Sequence, residues 1–273
     1  MGNVRAALAE AAARLASVSG TPRLDAELLL AHVLGITREA LLLGGDRAIP
    51  ATFDALLQRR LAHEPVAYIT GHKAFWTLDL HVTPAVLIPR PDSETLIEAA
   101  IAHFGHRAPE RILDLGTGSG ALLLAALDHW PAARGIGVDR SAAAITVARG
   151  NAERLGFGPR AAFVQGDWAQ ALVGRFDLIL CNPPYIERDV ELPPQVARHE
   201  PASALFAGAD GLDDYRRILP ALAELLAAGG VVLLEIGSTQ AEAVQDLGER
   251  RNFKSRVIRD LAGLDRCVVL THR

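Results

Sequence analysis

The chain has little of what marks several large classes of protein. Of its 273 residues only Cys181 and Cys267 are cysteines. They lie far apart without a metal-ligand spacing, which argues against a disulfide scaffold or zinc ribbon and suits free thiols in a reducing compartment. No apolar run is long enough to span a bilayer. The opening stretch MGNVRAALAEAAARLA reads as an amphipathic helix in which Arg5, Glu10 and Arg14 interrupt the apolar region a secretory signal needs. The expectation is a cytoplasmic protein with no membrane partner. Positive charge is not in excess either: the formal net charge is −4, and in the N-terminal third Arg59-Arg60 is the only basic pair. A nucleic acid would find no polyphosphate-binding block, so no stable nucleic-acid partner is expected. Internal repeats and low-complexity tracts are missing as well. No metal site is expected, since no cluster of ligating residues is recognisable.

What is present is ordinary globular material: half the residues are hydrophobic and 22% are charged, enough for one large core or two smaller ones. Residues 1–64 read as a small helical bundle. Thr21-Pro22 is a cap and first-turn pair before RLDAELLLAHVLG, Thr37 caps REALLL, and Pro50 opens ATFDALLQRRLAHE. Over residues 65–84 the period changes. VAYITG and FWTLDLHVT, with Gly71-His72-Lys73 between them, predict a connecting β-hairpin. Over residues 85–273 strands alternate with helices: RILDLG then GALLLAALDHW, GIGVD then SAAAITVARGNAERLG, AAFVQGD, FDLILCNPPY, DDYRRILPALAELLAAGG then VVLLEIG, TQAEAVQDLGER, and finally SRVIRD and RCVVLT. This is an α/β pattern, a mainly parallel, doubly wound, Rossmann-like sheet that binds ligands at the carboxyl ends of its strands.

Three successive strand ends carry chemistry. In DLGTGSG the segment Gly116-Thr117-Gly118-Ser119-Gly120 closes a tight strand-to-helix turn whose missing Cβ atoms admit a ligand to the backbone. Its G-x-G-x-G spacing is not that of a pyrophosphate binder. Nineteen residues after Gly120, Asp139 ends the next strand, where a carboxylate can accept from both ribose hydroxyls of an adenosine. Asp167-Trp168 ends the third and offers an acceptor and an aromatic face to an adenine. A nucleoside cofactor without a diphosphate fits this set, and S-adenosylmethionine, with S-adenosylhomocysteine as product, is the common one.

The fourth strand end is CNPPY. Asn182 leaves the strand at the same edge, while Pro183 and Pro184 fix φ at about −65° and leave carbonyls free as acceptors. Tyr185 adds a flat wall. The arrangement suits a planar –NH2 group, one hydrogen on the Asn182 carbonyl oxygen, the other on the Pro183 backbone carbonyl, the plane against Tyr185. A conjugated nitrogen is a poor nucleophile, and two acceptors favour its pyramidalisation and aim its lone pair at a sulfonium methyl. No Ser/His/Asp set is recognisable nearby and no tuned base is needed.

These motifs, with EPVAYITGHKAFW, TPAVLIPRPDSE, EPASALFAGADGL, LLEIG and DLAGLDR, span nearly the whole chain. The chain resembles the glutamine methyltransferases of peptide-chain release factors, the PrmC/HemK family. The tetrapeptide alone is shared with adenine and cytosine amino-methyltransferases; IPRPDSE and EPASAL followed by GADGL are the more specific stretches. The resemblance implies a class I S-adenosylmethionine-dependent methyltransferase sheet behind a helical substrate-recognition domain. It implies N5-methylation of the glutamine in a release factor's Gly-Gly-Gln loop, with Gly116 to Gly120, Asp139, Trp168 and Asn182 on the cofactor and Asn182 to Tyr185 on the glutamine. A monomer suffices for this. Leu264 stands where the family pattern has Arg, which affects a local ion pair only. The alternatives are an amino-group methyltransferase acting on a ribosomal-protein glutamine or a nucleic-acid base, and a cofactor-binding scaffold that activates a partner.

Overall fold

The computed structural model describes residues 4–45, 47–170 and 172–273. The first three residues of the expected N-terminal helix lie outside them. Two compact units are present. The first runs through His72 and takes in a distant segment, Leu192–Glu200; the second comprises Lys73–Glu191 and Pro201–Arg273.

The first unit is helical. α1 (Val4–Leu15), α2 (Pro22–Leu34), α3 (Arg38–Leu43) and α4 (Thr52–Leu61) surround a core of Leu8, Leu15, Leu29, Leu30, Phe53 and Leu57. Thr37 caps α3 by accepting from the Ala40 amide at 3.1 Å. The expected first strand of the hairpin is instead a fifth helix, α5 (Val66–Thr70). Its β-branched residues favour a strand, but the Pro65 carbonyl accepts from the amides of Tyr68 and Ile69, Gly71 closes the turn at φ 77°, and Ile69 is buried in the helical core. Burial overrides propensity here. Arg59-Arg60 is internally neutralised: Arg59 pairs with Glu64 at 2.5 Å and buried Arg60 with Asp25 at 2.7 Å. The outlying segment carries α9 (Pro194–His199), whose Gln195 side chain accepts from Arg60.

The hairpin strands are β1 (His72–Phe75), later than expected, and β2 (Leu78–His81), within the expected FWTLDLHVT. After the 3-10 turn Pro91–Ser93 come α6 (Glu94–Phe104), β3 (Arg111–Leu115), α7 (Ala121–His129), β4 (Arg134–Asp139), α8 (Ala142–Arg154), β5 (Ala161–Gln165) and β6 (Phe176–Cys181). Then follow α10 (Asp213–Leu225), β7 (Leu226–Glu235), α11 (Ala241–Glu249), β8 (Phe253–Arg259) and β9 (Asp265–His272). The helix expected to run on through LLAAGG stops at its first residue, Leu225, and the other five begin β7. The strand order is β5-β4-β3-β6-β7-β9-β8, parallel except for β9, which is antiparallel to both neighbours.

Alternation along the central strands explains their unbroken apolar runs. Leu178 and Leu180 face the core under α6 and α7, whereas Ile179 and Cys181 face the core under α10. All four are fully buried, each side chain worth roughly 1.5–3 kcal/mol relative to exposure. The chain order reverses between β3 and β6, and the register pairs Leu115 with Cys181. Gly116 and Asn182 therefore leave adjacent strands at the switch point, where doubly wound sheets bind ligands.

Candidate active site

The glycine turn is tied to the end of β4. The Gly116 and Thr117 amides both donate to the Val138 carbonyl at 2.9 Å, and the Gly118 amide donates to Asp139 Oδ2 at 2.9 Å. Asp139 Oδ1 accepts from the Ser141 amide at 2.9 Å, yet each carboxylate oxygen keeps a lone pair for a ligand. Gly116 has φ 74°, and a Cβ there would stand 3.0 Å from the Trp168 ring. Any side chain would push that ring from the wall. Gly120 is set differently from its neighbours: it caps α7 at φ 84°, and a Cβ on it would meet Leu124.

A cleft of about 330 Å³ opens at this edge, within the range of small-molecule sites. Gly116, Thr117, Gly118, Ser119, Asp139, Asp167, Trp168, Asn182 and Pro184 line it, whereas Gly120, Pro183 and Tyr185 are not in its wall. The Asp167 carboxylate, partly exposed, accepts from Arg217 Nη2 at 2.8 and 2.6 Å. Trp168 Nε1 donates to Asp214 at 3.1 Å, which fixes the ring plane against the glycine turn.

The Asn-Pro-Pro-Tyr turn is held from several sides. Asn182 Nδ2 donates to Ser93 Oγ at 3.2 Å. Pro183 and Pro184 are buried. The Tyr185 carbonyl accepts from Gln240 at 2.9 Å, and a Cβ on Gly211, φ 70°, would lie 2.3 Å from that same carbonyl oxygen. Ile186 pairs with Phe206 in a parallel bridge. The stretches LFAGADGL and IPRPDSE thus meet CNPPYI in space, which accounts for glycine at 211. Burial, Glu235 and their hydrogen bond push the Tyr185 hydroxyl up to about 12, so the side chain is neutral near pH 7.

Four polar residues that sequence reasoning left without a role belong to the site. Asp114, at 1% exposure, accepts from the Thr117 hydroxyl at 2.6 Å, and burial pushes its carboxyl up to about 7. Asn151 is fully buried on α8; its Nδ2 donates to the carbonyls of Ser119 and His81, both at 2.9 Å. That side chain stitches the glycine turn to the hairpin. Ser93 and Glu235 are the other two. Both lie in stretches already singled out, Ser93 in IPRPDSE and Glu235 in LLEIG. Leu264 is half exposed, and the ion pair at that corner runs from Asp260 to Arg266 at 3.1 Å, with Asp92 also 3.4 Å from Arg266. Among the described residues there is no group of His, Cys, Asp or Glu able to hold a metal ion, and no helix long and apolar enough to cross a membrane.

Comparison with known proteins agrees with this geometry. Residues 6–71 match the family described as PrmC N-terminal domain, and residues 106–262 the one described as methyltransferase domain. A methyltransferase from Pyrococcus furiosus, 18% identical, superposes with a TM-score of 0.55 over 78% of this chain and 95% of its own, which speaks for the fold. The release factor glutamine methyltransferase of Rhodospirillum rubrum is 46% identical over 92% of this chain and 79% of its own length. That of Moorella thermoacetica is 44% identical over 99% of both. Identity of this extent, carried through helical unit and sheet alike, makes the chain a member of the release factor glutamine methyltransferase family.

Proposed function

We propose that this protein transfers a methyl group from S-adenosylmethionine to the N5 side-chain nitrogen of the glutamine in a release factor's Gly-Gly-Gln loop. The observation that carries the reading is the juxtaposition of Asn182 and Gly116 at the β3/β6 switch point, in a chain of this family. The cleft fits the cofactor in three respects: its size, the missing Cβ at Gly116 that lets Trp168 close the wall, and Asp139 with a free lone pair on each oxygen at the lip. Gly116 to Ser119, Asp139, Trp168 and Asn182 would hold it. When bound, S-adenosylmethionine supplies an electrophilic sulfonium methyl.

The protein's own part is positioning. The Asn182 carbonyl oxygen and the Pro183 backbone carbonyl accept the two hydrogens of the substrate amide, with Pro184 and Tyr185 shaping the turn around its plane. Fixed acceptors placed before the reaction lower its barrier without reorganisation during it. The methylated nitrogen is strongly acidic and sheds its proton to water or a neighbouring carbonyl. The helical unit is proposed to recognise the release factor, because a glutamine side chain distinguishes one protein poorly from another and because this unit has a core of its own.

The test is acceptor choice. With labelled cofactor at about 150 mM salt, purified release factor is expected to take up label, while a ribosomal protein and duplex DNA stay unlabelled. Label in DNA, or preferential label in the ribosomal protein, would overturn the assignment.

A further inference from the structure

Behind the Asn-Pro-Pro-Tyr turn lies a buried acid that the proposed chemistry does not use. Glu235 ends β7 with 1% of its surface exposed, one strand over from Asn182, since Cys181 pairs with Leu234. Burying a carboxyl group is costly unless its oxygens are bonded, and an apolar residue would serve packing better. What Glu235 touches explains its presence. Ser93, itself buried, accepts from Asn182 Nδ2 at 3.2 Å and sets its hydroxyl beside the Glu235 carboxylate, within reach to donate to it. The Tyr185 hydroxyl donates to Glu235 Oε1 at 3.4 Å. Oε2 is buried without a hydrogen-bond partner.

The polarity of this chain of bonds has a consequence at Asn182. With the serine proton committed to the carboxylate, Ser93 Oγ presents a lone pair to Asn182 and binds its NH2 group only. An amide held through its nitrogen has one orientation left for its carbonyl oxygen. We propose that Ser93 and Glu235 are positioning residues for methyl transfer: Glu235 polarises Ser93, and Ser93 locks the Asn182 amide with its carbonyl oxygen turned to the substrate. This rests on the reading of Asn182 as acceptor for the substrate amide.

The relay also senses pH. Burial pushes Glu235 up to about 7, with Ser93, Arg266 and Tyr185 acting to lower it and Asp92 to raise it. The other titratable groups facing it are Tyr215 on α10, Cys181 on β6 and Cys267 on β9, all pushed upward mainly by burial and therefore neutral in this range, like Tyr185. Asp92 lies 3.4 Å from Arg266, whose guanidinium stays charged throughout. Glu235 is thus the member of the cluster that changes charge near neutrality. Once protonated it donates to Ser93, the serine proton turns towards Asn182, and the amide is free to flip its oxygen away from the substrate. The competent orientation belongs to the ionised form, so kcat rises with pH.

The experiment follows kcat and KM of the full-length protein from about pH 6 to 8, with purified release factor as acceptor and cofactor affinity measured by calorimetry. The parental kcat is expected to rise through an apparent pKa of about 7. Glu235→Gln keeps an acceptor for Ser93 but cannot ionise, so its kcat should be flat across the range. Ser93→Ala should lower kcat about tenfold with KM and cofactor affinity within about twofold, and Ser93→Thr should recover most of the loss. A Ser93→Ala protein with parental kcat beside an impaired Asn182→Ala protein would overturn the relay and leave the acceptor role standing. Parental turnover in both would overturn the two together. Should Ser93→Ala fail to fold, Glu235→Gln decides alone: an unchanged pH profile in that variant overturns the proposal.

Discussion

Asn182→Ala is expected to lower methyl-transfer turnover about a hundredfold or more, the cost of deleting one preorganised dipole from a transition state, or roughly 2.7 kcal/mol. Three structural facts make the loss specific to chemistry. Asn182 is half-buried, it lies beyond the last residue of β6, and its one described side-chain hydrogen bond is to Ser93. Removing it leaves the glycine turn untouched, because that turn hangs on Val138 and Asp139. Cofactor affinity should therefore fall by only a few-fold. Single-turnover transfer is the readout, since product release does not mask it, and a rate near the parental one would remove the amide-gripping role.

The second large effect is expected at Asp139. Asp139→Ala should weaken S-adenosylmethionine binding by about 1.5–3 kcal/mol, a loss of affinity of roughly 10- to 150-fold. Part of this is direct, the ribose hydroxyls losing their acceptor. Part is indirect: the Gly118 amide, on a residue held at φ 54°, and the Ser141 amide both lose their partner. Asp139→Asn retains one acceptor oxygen and should fall between the two proteins. Unchanged affinity of the alanine variant by calorimetry would remove the ribose assignment.

Much of this site could be read before any coordinates because its parts are local in sequence. A glycine turn between an apolar strand and a helix, an acid at the end of the next strand and two prolines after a third each carry their geometry within a few residues. The parallel strands were legible for a related reason. Covered on both faces, they show as unbroken apolar runs such as FDLIL. Misreadings arose where propensity and burial disagree. VAYIT has strand composition and folds as a helix because Pro65 starts it and the bundle buries Ile69; LLAAGG reads as the end of a helix and, past Leu225, forms the start of β7.

The polar groups that orient the site were the least legible. Ser93 meets Asn182 across 89 residues, and Asn151 meets His81 across 70. No periodicity links such pairs, and a lone polar residue in an apolar stretch does not declare its partner. The inclusion of Leu192–Glu200 in the first unit is of the same kind, a packing choice made far from its neighbours in sequence.

The central claim is the identity of the methylated atom, and fragmentation mass spectrometry of the release factor after incubation with the protein and S-adenosylmethionine tests it most directly. The account predicts one added methyl group, carried on the side-chain nitrogen of the glutamine in the Gly-Gly-Gln loop, and none when Asn182→Ala replaces the parental protein in an equally short incubation. A methyl group on any other residue or on that glutamine's backbone, or an unmodified release factor beside a methylated ribosomal protein, would contradict it.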